Sequence, residues 1–142
     1  MEDQLFDELF DRARELSDDT LQTMLIGLKL LTKLLDDMPG GHPGCIVATA
    51  AYQDRLFNAD LREANLRAII GWWRRFRRIL SDVAERYPPH DAVDLDHLAD
   101  MVIAVIEGRL VVSRALGEPA ITAQQVMLLR SYIRLLFAPK VQ

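Results

Sequence analysis

Apolar residues recur every three or four positions along most of the chain, the spacing that places them on one face of an α-helix. The stretch nearest the N-terminus shows the pattern clearly, with acids opposite the apolar face. That face carries Leu5, Phe6, Leu9, Phe10, Ala13 and Leu16. No stretch alternates with a period of two, and the Asn-Gly and Asp-Gly pairs that favour β-hairpins do not occur. The pattern therefore predicts an all-α protein.

Prolines divide the chain, because proline lacks a backbone donor and is costly inside a helix. The breaks fall at the Gly/Pro-rich run 38–44 and at Pro88-Pro89. Between them the pattern predicts a bundle of six helices. These are a first helix ending at Leu16, a second to Asp37, a short third from Cys45 to Asp54, a fourth from Asp60 to Tyr87, a fifth from Leu95 to Leu116 and a sixth ending at Phe137.

Helix ends are predicted from residues whose side chains or backbone satisfy the terminal amide and carbonyl groups. Ser17 is the predicted N-cap of the second helix and Asp94 that of the fifth. Asp60 and Thr122 each have a Glu or Gln three residues later, which is capping-box spacing. Gly117 is predicted to end the fifth helix in a left-handed conformation.

Composition indicates one domain, residues 1–142, since half of the residues are hydrophobic and the formal charge is only −4. The acidic balance argues against a surface built to coat phosphate backbones. A single cysteine, Cys45, excludes an internal disulfide and favours the reducing cytoplasm. The acidic N-terminus does not resemble a signal peptide, and no run approaches the roughly 20 apolar residues that span a bilayer. No membrane partner is expected.

Catalytic and metal-binding patterns are missing from the sequence. It has no phosphate-binding loop, dinucleotide glycine fingerprint, Ser-His-Asp order or His-x-x-x-His pair. The three histidines, His42, His90 and His97, are scattered without a shared spacing. We therefore expect neither an enzyme nor a metal or other cofactor.

The run Trp72–Arg78 mixes two tryptophans and a phenylalanine with four arginines. Aromatic and basic residues together occur in nucleic-acid binding, where bases stack on the rings. Helical spacing favours a different interpretation, in which Phe76 and one of the two tryptophans are buried and the arginines form a solvated face. A local contact with an anion is the alternative.

The last two predicted helices have more apolar surface than one stripe requires. Six consecutive apolar residues, Met101–Ile106, cover every direction around the fifth helix, and the sixth is similar. This favours a two-fold homodimer in which both helices pair with their copies as a four-helix interface. The predicted interface residues are Ile106, Gly108, Leu110, Ser113, Val126, Leu129, Ile133 and Leu136. The alternative is a monomer with the fifth helix at its centre.

Large, soft or mildly polar residues also lie on stripes that are predicted to face one another inside the bundle. Small-molecule pockets in helical bundles are lined by such residues. The candidates are Met24, Leu28, Cys45, Thr49, Tyr52, Trp73, Phe76, Met101 and Val105. A filled core is the alternative, and composition alone favours it.

The segment His42–Ala51, which follows a Gly/Pro turn, resembles the Pro-Gly-Cys-hydrophobic segment of regulators of the tetracycline-repressor (TetR) type. The stretch Ile106–Leu110 is similar to that family's penultimate helix, and a leucine-rich last helix completes the order. The resemblance covers nearly the whole chain as an effector-binding and dimerisation domain. The basic helix-turn-helix domain with which family members begin is missing, so operator DNA would be bound only through that absent part.

The resemblance implies a function as the ligand-sensing half of a transcriptional regulator, most simply a repressor released by an unidentified small molecule. The effector would enter the helical cavity and change the separation of the DNA-reading heads in the dimer. Such a switch requires different affinities for the two arrangements. A helical homodimeric adaptor without a ligand cavity is the alternative function.

Overall fold

The computed structural model describes residues 2–38 and 58–139, and this part of the chain is helical with no strand. The prediction of an all-α protein is confirmed for it. The helices are α1 (Glu2–Leu16), α2 (Thr20–Asp36), α3 (Ala59–Arg86), α4 (Leu95–Leu116) and α5 (Ala120–Phe137). The short helix predicted at 45–54 lies outside the described residues, so the described helices number five rather than six.

Two of the predicted helix ends are confirmed around α4. Asp94 is its N-cap, and one carboxylate oxygen accepts from the amides of Asp96 at 2.8 Å and His97 at 3.2 Å. The backbone bonds from His97 and Asp96 hold the pKa of Asp94 below its ordinary value. Gly117 ends the helix with a φ of 68°, a left-handed conformation that glycine adopts without strain.

Three other helix starts differ from the prediction. Asp19 rather than Ser17 caps α2, accepting from the amide of Gln22 at 2.9 Å. The predicted cap Asp60 lies inside α3, which is capped by Asn58 instead. α5 begins at Ala120 rather than beyond Thr122, whose hydroxyl donates to the Pro119 carbonyl at 2.8 Å within the first turn. Asp19 and Asn58 cap their helices through side-chain oxygens, whereas Pro119 makes no side-chain cap bond and the first amides of α5 donate to the carbonyls of Glu118 and Pro119.

Four helices pack around the main core in a closed order. α2 contacts α5, α5 contacts α4, α4 contacts α3, and α3 returns to α2, while α1 packs against α2 and contributes Phe10 to the same core. Met24, Leu28 and Ile133 are among the side chains fully buried in this core. Arg130 of α5 also donates to the Leu25 carbonyl of α2 at 2.9 Å, which fixes the two helices along their length.

The end of α3 is tied to the start of α2 by polar contacts at Asp19. Its carboxylate accepts a hydrogen bond from the Tyr87 hydroxyl and lies 3.5 Å from the Arg86 guanidinium. Burial alone raises the pKa of Asp19, but the bonds from Tyr87 and Gln22, helped by Arg86, outweigh it and lower that pKa. The carboxylate is therefore held ionised near neutral pH, and the contact weakens when acid protonates it.

Gly27 allows α1 to approach α2 closely. A Cβ at this position would lie 2.7 Å from Cε1 of Phe10, closer than carbon atoms tolerate. Phe10 is itself buried between other rings and has little room to move. The glycine is therefore required by packing rather than by backbone conformation.

We expect Gly27→Ala to destabilise the chain by about 1–3 kcal/mol, the usual cost of overpacking, despite the better helix propensity of alanine. Urea unfolding followed by circular dichroism measures the loss. Gly71→Ala is the matched control, because it also lies inside a helix and a Cβ there meets open space. The control should gain up to about 1 kcal/mol. Equal gains in both variants would contradict the tight contact between α1 and α2.

Candidate functional site: an apolar cavity and two outer helix faces

An apolar cavity of about 110 Å³ lies where α1, α2, α3 and α4 meet. Fourteen of the residues that the structure describes line it, and twelve of these are apolar. The apolar ones are Phe6, Leu9, Phe10, Leu31, Leu34, Leu35, Met38, Trp72, Phe76, Ile103, Ile106 and Leu110. Each helix contributes residues three or four apart, as a helix face turned towards the cavity requires.

Three phenylalanines form one wall of the cavity. The rings of Phe6 and Phe10 stack with centroids 4.4 Å apart, and Phe76 meets Phe6 edge-on at 4.8 Å. Phe10 and Phe76 are also edge-to-face, at 6.2 Å. These are favourable ring geometries, so the wall is a pre-formed aromatic surface.

The two charged residues that line the cavity, Glu107 and Arg109, both come from α4. Ile103, Ile106 and Leu110 share the α4 face directed at the cavity. Residues two apart on a helix do not face each other, so Glu107 and Arg109 flank that face on opposite sides. Arg109 is only 6% exposed, an unusual degree of burial for a charged side chain.

Of the predicted effector-binding residues, Phe76 lines this cavity. Met24 and Leu28 are fully buried in the filled core instead. Met101 and Val105 are partly buried against that core and do not reach the cavity. Three further predicted residues, Cys45, Thr49 and Tyr52, lie outside the described residues.

The structure distinguishes the two adjacent tryptophans, of which the sequence had assigned Trp73 to the pocket. Trp72 lines the cavity. Trp73 is turned about 100° around the helix axis, and its Nε1 donates to the Asp100 carboxylate of α4 at 2.9 Å. The periodicity admitted either tryptophan on the buried side, and this hydrogen bond between helices decides between them.

The arginines beside the tryptophans contact acids of the chain itself. Arg77 pairs with Asp96 of α4 at 2.5 Å, and Arg75 lies 3.5 Å from Asp7 of α1. Arg74 and Arg78 are exposed. This arrangement agrees with the interpretation of the run as a solvated, partly ion-paired face.

The predicted dimer-interface residues lie mostly within the chain's own core. Val126, Leu129, Ile133 and Leu136 form the inner face of α5, and all four are buried. Leu110 and Ser113 of α4 are buried as well, and Ile106 lines the cavity. Six of these side chains are buried within the single chain and Ile106 is half-buried, so the surface that a partner could cover is formed mainly by other residues.

Gly108 is the one predicted interface residue on an open helix face, because a Cβ there would meet nothing within 4 Å. The exposed residues nearest to it on this side of α4 are Ala104, Val111, Val112 and Ala115, and the exposed Asp100 and Arg114 lie further around the helix.

On α5, Leu128, Tyr132 and Leu135 form an exposed stripe with spacings of four and three residues. Leu128 is 62% exposed and Leu135 64%. We call these three residues, together with Gly108 and the four exposed α4 residues nearest to it, the outer apolar face. Both helices are therefore apolar on two sides, as the sequence indicated. Apart from Gly108, the residues of the outer side are not those that the sequence predicted for the dimer interface.

No family model, curated protein or solved structure matches the chain. Among the residues that the structure describes, no group of three or more His, Cys, Asp or Glu side chains is placed to hold a metal ion. Within the same residues, no helix combines the length and apolar character that crossing a bilayer demands.

Proposed function

We propose that the chain is the ligand-sensing and dimerisation domain of a transcriptional regulator of the TetR type. The observation that carries the proposal is the position of α4. Its Ile103, Ile106 and Leu110 line the apolar cavity, while Gly108 and Val112 lie on the outer apolar face. The same helix therefore lines the proposed ligand cavity on one side and forms part of the proposed dimer interface on the other.

The cavity supports the sensing part of this proposal. A ligand between the phenylalanine wall and α4 would favour the position of α4 that leaves room for it. In a dimer built on the outer apolar face, a shift of α4 would change how the two subunits sit against each other. The ligand would act through its different affinities for the two arrangements.

A second copy of the chain is the proposed occupant of the outer apolar face. α4 and α5 pack against each other, and the proposed interface requires that their exposed stripes lie on the same side of this helix pair. Contiguous exposed apolar surface of more than a few hundred Å² is typical of an interface. A two-fold axis over this face would pair α4 and α5 with their copies as four helices. Operator DNA would be contacted by a helix-turn-helix domain outside these 142 residues.

The size of the cavity favours a second candidate function, a homodimeric helical adaptor. Ligand pockets usually measure roughly 300–1,000 Å³, whereas this cavity is about 110 Å³. In the adaptor the cavity is a packing feature and the outer apolar face is the functional one. The two candidates share the dimer and differ in ligand binding.

For the dimer, we expect Leu135→Glu to give a folded monomer, because a charge on the outer apolar face is desolvated only when a partner covers it. Sedimentation velocity measures the mass, and circular dichroism measures helix content. Leu66→Glu on α3 is the matched control, since Leu66 is similarly exposed, at 59%, and lies off the outer apolar face. A monomeric native chain, or a dimer unaffected by Leu135→Glu, would refute the proposed interface.

For the ligand, benzyl alcohol is a neutral probe of suitable size, with binding followed by tryptophan fluorescence. The regulator proposal predicts saturable quenching or enhancement that persists in Trp73→Phe and is lost in Trp72→Phe, because only Trp72 lines the cavity. No saturable binding of benzyl alcohol, benzoate or benzylamine would leave the adaptor as the function of this domain.

A further inference from the structure

We propose that the cavity binds a neutral, alkyl-substituted aromatic molecule, with its ring against the phenylalanine wall and its alkyl group along half-buried aliphatic residues of α1 and α2. This inference rests on the proposed function, because it assumes that the cavity is a ligand site. It adds the charge and the shape of the ligand.

The charged residues of the lining favour a ligand without charge. Glu107 and Arg109 line the cavity, and each already takes part in an interaction within the chain. A charged ligand would lose its hydration among the apolar residues, and it would have to displace an existing partner of Glu107 or Arg109 to gain a counterion. A neutral ligand leaves both interactions in place.

The aromatic residues of the lining favour a ring. Phe10 and Phe76 are buried, and the ring of Phe6 lies 4.4 Å from the first and 4.8 Å from the second, centroid to centroid. Trp72 lines the same cavity. Aromatic pairs prefer stacked and edge-to-face contacts, and a bound ring can present its edge or its face to this wall. A ring therefore gains contacts here that an alkyl chain does not.

The aliphatic residues of the lining favour an alkyl group attached to that ring. Four of them are only half-buried, namely Leu9 of α1 and Leu31, Leu34 and Met38 of α2. As formed by the residues that the structure describes, the cavity is partly open, so its volume does not limit the length of a ligand. An alkyl group lying over these side chains removes further apolar surface from water, which is favourable for every methylene it buries.

The test compares toluene, n-butylbenzene, benzoate and benzylamine, the last two of which are negative and positive at pH 7. Dissociation constants are measured on the native chain by tryptophan fluorescence titration. We expect benzoate and benzylamine each to bind at least about tenfold more weakly than toluene, because a buried charge without a counterion is costly. n-Butylbenzene should bind about tenfold more tightly than toluene, since each buried methylene adds roughly two- to fourfold in affinity.

The outcomes separate the ligand class from the ligand site. A charged probe that binds as tightly as toluene would overturn the neutral class, and equal affinities for toluene and n-butylbenzene would overturn the extended shape. In both cases the cavity remains a ligand site. If none of the four probes binds saturably, the ligand site of the proposed function is itself refuted.

A leucine variant tests where the alkyl group lies. Leu34→Ser removes an apolar side chain from the half-buried lining and should weaken n-butylbenzene about threefold more than toluene. Leu30→Ser is the matched control, because Leu30 is a half-buried leucine of the same helix that does not line the cavity, and it should leave both affinities unchanged. Equal weakening of both probes by Leu34→Ser, or the same selective effect in Leu30→Ser, would contradict an alkyl group along α2. Leu34→Ala replaces the serine variant if that one does not fold.

Discussion

Replacing Ile133 with Glu is expected to unfold the chain, whereas Leu135→Glu leaves it folded. Ile133 is fully buried on the inner face of α5, where the nearest elements are the apolar sides of α2 and α4. A carboxylate there either stays charged without hydration or takes up a proton at a cost of several kcal/mol. Since a domain's whole stability is about 5–15 kcal/mol, this loss removes most of it.

Circular dichroism and urea titration test this expectation, with Leu135→Glu as the control on the same helix two residues away. The native chain and Leu135→Glu should show cooperative unfolding, and Ile133→Glu should show little helix and no transition. A folded, monomeric Ile133→Glu chain would instead restore the assignment of Ile133 to the dimer interface that the sequence pattern suggested.

The contrast between these two residues shows what the pattern on α5 determines. Val126 and Ile133 lie seven residues apart, and so do Leu128 and Leu135. Periodicity shows that both pairs form stripes, but it does not show which stripe faces α2. That direction depends on contacts between helices distant in the sequence, such as the bond from Arg130 to the Leu25 carbonyl. The excess of apolar surface was therefore predictable, and its inner and outer sides were not.

The cavity was less predictable than the helices that form it. The α1 face carrying Phe6 and Phe10 is evident from spacing, yet its contact with Phe76 depends on how closely α1 approaches α2. Gly27 sets that approach, and in the sequence it is only a small residue inside an apolar helix. Asp94 and Gly117 were sufficient to predict the two ends of α4 from the sequence, because each is a residue type that favours its position at a helix end. At Ser17–Asp19 several capping residues are adjacent, and only the structure shows which one is used.

Removing the Phe76 side chain should both destabilise the chain and enlarge the cavity. Phe76 is buried, meets two other phenylalanine rings and lines the cavity. Phe76→Ala is therefore expected to cost about 3–5 kcal/mol of unfolding free energy, as buried aromatic truncations do. Urea unfolding measures the loss. A loss below about 1 kcal/mol would contradict the packed phenylalanine wall.

A small aromatic molecule that restores stability to a truncated variant tests whether this region is a ligand cavity or only part of the packed core. The space left by Phe76→Ala joins the existing cavity, so benzyl alcohol should bind it and recover part of the lost stability in proportion to the logarithm of its concentration. Phe137→Ala is the matched control, because Phe137 is as deeply buried but does not line the cavity. It should lose a similar amount of stability and recover none. If both variants regained the same free energy of unfolding, benzyl alcohol would be filling any void in this chain. The result would then contradict a ligand site between α1 and α4.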